Sequence, residues 1–491
     1  MFFNSIFNGS VFFQNVQYIG KNAFSDCSGL KKLNFSNVTI IDYEAFKRKL
    51  LPGSVYFEKV QTIYESAFTR CIFLGPVYFQ NVNNISQRAF VNCNFSNVYF
   101  TNVNNVGAYS FYTSSFQGFI SMKYIENIED FAFWSTTIYS SLFSIENIDY
   151  IKDNAFWSSK IYNSSFSINN VQSIEKYVFQ SSKMNNSSIS FDNIQNIGLY
   201  TFLSSNMNNS SISFDNIQNI GLYTFPSSNM NNSNISFDNI QNIGLYTFPS
   251  SNMNNSNISF DNIQNIGAHT FWNSKIVKTS ISIINVEKIS DNAFISSEIH
   301  ESSISLKNIH ELGDYAFSNC NIQDPLFIRN ISIIRSRIFY NSNISINLNL
   351  IDINTIMDSA FIGSNIKGSL SFTNVETLSP NSVSNCVIEG NITFRNVSFI
   401  GSSAFAASKF RGPIDFGDIV NISDKTFENC NYLETIINIG NIKRIGNNAF
   451  AVCYNLSGYL NFNNIVSIGN SAFKGCSNIY RVSNFFPASQ S

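Results

Sequence analysis

Phe214–Ser236 reads FDNIQNIGLYTFPSSNMNNSNIS, and Phe237–Ser259 says it again letter for letter. Outward from Phe225 and Phe248, the same phenylalanine returns every 21 to 23 residues, from Phe24 to Phe473. Val383 takes its place once, and the count is 21 turns. A unit this short cannot bury an apolar side alone. Stacked on copies of itself, it builds a continuous core. The period therefore replaces the several globular domains that 491 residues would otherwise allow. It predicts one array over residues 1–491, with 185–271 as near-identical duplicated repeats. Duplication is tolerated in such an array because each turn touches only its neighbours.

Other positions keep phase with that anchor. Five residues before it stands Ile in 18 of 21 turns, such as Ile19 and Ile41. Eight before it is always Val or Ile, and eleven and thirteen before it are apolar, as in Phe237 and Ile235. In NISFDN the apolar residues alternate with Ser236 and Asp238, the period of a half-buried strand. QNIG is a second short extended piece, and LYTFPSS is long enough for one helical or 3₁₀ turn. The expected fold is a repeat solenoid, mainly β with short helical turns.

The form I-G-x-x-A-F-x-x-C-x-x-L recurs in IGKNAFSDCSGL (19–30), IGNNAFAVCYNL (445–456) and IGNSAFKGCSNI (468–479). It resembles the BspA-like, Treponema-type class of leucine-rich repeats, which would make the chain an array of about 21 such repeats. That family usually has a proline after its strand and one more residue before the next aliphatic. Here the place reads FSNV (35–38) or FDNI, one residue shorter and with Asn. The resemblance implies a surface solenoid of anaerobic bacteria and parasitic protists that attaches to host proteins or cells, and so a cell-surface or secreted location. The letters themselves leave location unknown: MFFNSIFNGS is no secretory signal, FFPASQS is no anchor, and no apolar run spans a membrane. A missing signal and missing end caps suggest a fragment.

Charged residues are only 13% of the chain and the net charge is −2, which offers no face to nucleic acid. No P-loop, G-x-G-x-x-G, G-x-S-x-G, H-E-x-x-H or C-x-x-C occurs, so no catalytic residue, metal or cofactor is expected. His269, His300 and His310 fall at three phases and should not converge. All eight cysteines lie three residues after an anchor, where most turns have Ser. One phase means one environment, a small inward slot in which Cys is a buried hydrophobe. Nine before the anchor, 17 of 21 turns have Asn, either a ligand contact or, as repetition through the turns favours, an amide ladder closing a corner. Asp192, Asp215, Asp238 and Asp261 form a shorter row, either a weak Ca²⁺ row or one solvated Asp copied by duplication. Sequons such as Asn234-Ile-Ser matter only if the chain is secreted.

The outward side of the long strand varies by zone. Twelve before the anchor it reads Phe12, Asn34, Tyr56, Tyr78, Tyr99, then Ser from Ser121 to Ser305. Adjacent solvent-facing tyrosines make an aromatic stripe of the kind favoured at interfaces, so Tyr56, Tyr78, Tyr99 and Phe12 are the candidate binding residues. A second column, Tyr177, Tyr200, Tyr223 and Tyr246, reads as corner packing. The leading expectation is a non-enzymatic adhesion surface for a protein or cell-surface ligand. Next comes a spacer rod that self-associates through uncapped ends, and then a β-helix-like carbohydrate-active enzyme, disfavoured because no acid pair breaks the period.

Overall fold

The alternation of apolar and polar residues builds parallel ladders that join each turn to the one before it. The computed structural model describes residues 2, 4–461 and 464–483; FFPASQS lies outside them. The chain packs as two compact units, Met1–Asn252 and Met253–Ser491. Each is a parallel β-solenoid. In the first, Ser188–Ile197 lies beside Ser211–Ile220 with Phe191 opposite Phe214 and Ile194 opposite Ile217. In the second, Ser280–Ile289 lies beside Ser303–Leu312 with Ile283 opposite Leu306.

Inward residues form columns rather than a patchwork. The anchor rings stack face to face: Phe68, Phe90 and Phe111 are 5.0 and 5.2 Å apart, and in the second unit Phe294 and Phe317 are 4.7 Å apart. A second column, eleven residues before the anchors, stacks likewise, with Phe57 and Phe79 at 4.8 Å. The two columns meet edge to face, as Phe79 does on Phe90 at 81°. That combination satisfies the ring quadrupoles within a column and between columns. The stack also includes a turn that the periodicity did not count. Phe2 lies 5.3 Å from Phe24, and its amide donates to the Ala23 carbonyl just as that of Phe24 donates to Ala45.

Corners are made by left-handed residues. The Asn nine before the anchor has φ near 50–55° in turn after turn, for example Asn170, Asn193 and Asn216. Asn tolerates this region better than other side chains do. Where the proline-bearing pattern would place its extra residue, this chain turns on an αL Asn. The anchor loop has two more αL residues per turn, two before and two after the phenylalanine, such as Tyr177 and Ser181. These break the helical turn expected for LYTFPSS into successive i→i+3 turns. Among the described residues the one 3₁₀ segment is Ile439–Asn441. The αL geometry aims each amide at the neighbouring turn, so Tyr177 donates to Leu199 and Ser181 to Leu203. Backbone pairing thus continues around corners that would otherwise leave donors unpaired.

The cysteine phase is one environment, of more definite character than a small apolar slot. Each thiol points at a main-chain carbonyl of the preceding anchor: Cys71 at Phe46 (2.8 Å), Cys320 at Phe294 (2.9 Å), Cys476 at Phe450 (3.1 Å). Serines in the same place do the same, as Ser228 does to Phe202 at 2.7 Å. The slot selects a small side chain that can donate. Lys49 occupies it once, buried, with its ammonium on the Cys27 carbonyl at 2.6 Å. All eight cysteines are free thiols.

Burial pushes the Cys320 thiol from its ordinary 9.0 up to about 12. Because the folded value is raised, the stabilisation is complete below pH 9 and is lost as pH climbs toward 12. Melting temperature should therefore fall across that alkaline window, and Cys320→Ser should reduce the slope. An identical pH profile for the variant would contradict this.

Candidate functional site

The long strand presents alternate side chains to solvent, and parallel register places equivalent residues side by side. Tyr56 lies opposite Tyr78, and Tyr78 opposite Tyr99. Their rings stack 4.7 Å apart at each step, within 6° of parallel. Tyr56 is 41% exposed and the other two are half-buried, so the stack shows an edge rather than a face to solvent. Burial, and the phenols on either side, push the Tyr78 hydroxyl up. Phe12 is exposed in the same column but lies opposite Asn34, which stands between it and Tyr56 in chain order. The stripe is thus three tyrosines, without Phe12.

Its other end holds a residue that phase counting missed. Phe119 packs on Tyr99 at 5.5 Å and is 41% exposed. The register shifts between Gln117 and Gly118, where φ reaches +92°. A β-carbon on Gly118 would lie 2.5 Å from the Asn97 amide oxygen, so the irregularity needs glycine. That glycine was the available signal.

In the first unit three of the aspartates fall in one row, with Asp192 opposite Asp215 and Asp215 opposite Asp238. Amides separate their charges. Asn216 donates to Asp192 at 3.0 Å and Asn239 to Asp215 at 3.1 Å; in the second unit Asn285 donates to Asp261 at 3.0 Å. Among the described residues no three His, Cys, Asp or Glu side chains converge on a metal-sized space. Tyr177, Tyr200, Tyr223 and Tyr246 stack at 5.2, 5.0 and 4.8 Å, half-buried on left-handed corners. Among the described residues, no helix is long and apolar enough to cross a membrane.

The family model for the BspA type leucine rich repeat region matches six overlapping stretches: 1–117, 104–231, 172–301, 218–345, 287–411 and 354–480. The chain belongs to the BspA-type leucine-rich repeat family. A leucine-rich repeat protein from Bacteroides ovatus is similar in structure at 17% identity, with 74% of this chain and 77% of that one covered and a TM-score of 0.28. One from Eubacterium ventriosum is 16% identical over 62% of this chain and 85% of that one, TM-score 0.27. A leucine rich cell surface protein from Faecalibacterium prausnitzii is 14% identical over 65% and 84%, TM-score 0.25. No curated protein matches.

In this BspA-type chain the left-handed corner also creates a furrow. The residues nine and seven before the anchor point out on either side of a buried aliphatic. In the first unit the furrow has a volume of about 730 Å³ and runs from Asn102 to Gln195. Asn147, Asn170 and Gln172 line it with Glu126 and Asp149, and Tyr124 takes one Asn place. For the Asn column the sequence favoured a structural ladder over ligand contact, and its period gave no sign of the second rim.

Proposed function

We propose that this BspA-type chain is a non-enzymatic binding and adhesion surface, acting at the cell surface or after secretion, for a protein or cell-surface ligand. By sequence period, residues 1–491 would form one repeating array. The tyrosine stack at Tyr56, Tyr78 and Tyr99 carries it. Three rings already held parallel by the sheet lose little freedom when a partner covers them, and pre-ordered aromatic groups dominate interface energetics. The BspA type is a surface-protein family in which binding recurs, and LRR arrays serve generally as protein-interaction modules.

The test is binding to immobilised extracellular-matrix proteins by the native chain and by a variant with all three tyrosines changed to Ser. Ser already fills this column at Ser144, Ser167 and Ser190, so the fold should persist. Affinity for a matrix partner should drop by about tenfold or more. Equal binding by a folded variant retires the stack as the site.

A further inference from the structure

We propose that the furrow around Tyr124 binds a neutral linear polysaccharide laid along the stack of turns, at a site independent of the tyrosine stack. Three features of the furrow point to that ligand. Its rims are amides and carboxylates, groups that pair with hydroxyls as both donors and acceptors. Asn170 spends one N–H on Asn147 at 3.1 Å, and an amide has two N–H donors and two lone pairs. Asn170 therefore keeps hydrogen-bonding capacity beyond that bond. Next, Tyr124 is 58% exposed and lines the furrow, an aromatic group within reach of the C–H side of a sugar laid there. Finally, the rungs repeat at the strand spacing of ~4.8 Å. This is comparable to the rise of one sugar in an extended chain, so successive residues meet equivalent groups.

The charges exclude other occupants. Among the residues lining the furrow there is no Lys or Arg, and Glu126 and Asp149 are exposed. Acidic glycans and nucleic acid would be repelled. An extended peptide is recognised through main-chain hydrogen bonds and through pockets for alternate side chains, whereas here the aliphatics Ile125, Ile148 and Val171 are buried beneath the rims. A furrow at the same phase in the second unit, of about 410 Å³ around Asn285, Glu287, Asn308 and His310, has no Phe, Tyr or Trp among its lining residues. It serves as a built-in comparator and should bind weakly.

The full chain would be run through native gels containing laminarin, mannan or hydroxyethyl cellulose, with heparin as the anionic probe. Retardation is expected in at least one neutral gel and not with heparin. Tyr124→Asn should weaken it about tenfold. The backbone at 124 has φ 57°, and Asn is what 17 of 21 turns place there, so this variant should fold with an unchanged melting temperature. Tyr124→Phe, which keeps the ring, should retain binding. The Tyr56, Tyr78, Tyr99 to Ser variant should be retarded normally, which separates this site from the one proposed above. No retardation in any neutral gel, retardation by heparin alone, or equal retardation of Tyr124→Asn overturns the proposal. Loss of matrix-protein binding in Tyr124→Asn without polysaccharide retardation would assign the furrow to protein and overturn it as well.

Discussion

Changing Phe90 to Ala should lower the unfolding free energy by about 3–5 kcal/mol. Phe90 is fully buried. It stacks on Phe68 at 5.0 Å and on Phe111 at 5.2 Å, and meets the edge of Phe79 at 5.5 Å. None of these rings can move in to fill the gap, because each is held in register by its own strands. The cavity therefore stays open and its cost is not relieved. Urea unfolding would measure the loss, and hydrogen exchange would locate it. Protection should fall most in the turns carrying Phe68 and Phe111, since a repeat array is coupled chiefly between neighbours. A loss below about 0.5 kcal/mol, within the range of ordinary surface substitutions, would contradict the stacked-column account.

The second large effect is expected at Cys93, where two substitutions of similar size should differ sharply. The Cys93 thiol lies 2.8 Å from the Phe68 carbonyl and is fully buried. Cys93→Ser keeps a donor for that carbonyl and should stay within about 1 kcal/mol of the native chain. Cys93→Asp places a carboxylate against the Phe68 and Val91 carbonyl oxygens in a fully buried slot. It must either protonate or face the acceptor, and should cost about 4 kcal/mol. Melting curves of the two variants at neutral pH decide the matter. Equal stability would mean that the slot selects for size alone. Lys49, which fills the slot in another turn by donating to the Cys27 carbonyl, is the natural precedent for a donor rule.

These two positions show what could be read early and what could not. That Phe90 and Cys93 face inward follows from phase, because every turn repeats the same apolar letters. That Cys93 meets a carbonyl does not follow, since that oxygen belongs to Phe68 in the turn before. The candidate stripe divides the same way. Register brings Tyr56, Tyr78 and Tyr99 together, as equal phase requires, while Phe12 is set apart by Asn34. Phe119 joins Tyr99 through a register shift at Gly118 that a constant period cannot express.

The letters alone determined the period, the inward columns and the strand faces, because hydrophobic burial depends on side-chain type and repeats wherever the type repeats. The direction of the corners was decided only in three dimensions. Left-handed backbone at Asn170 and its equivalents turns amides toward the adjacent turn and opens a furrow between two rims. That choice depends on hydrogen bonds between turns, whose partners lie some 21 to 23 residues away and become neighbours only when the coils stack.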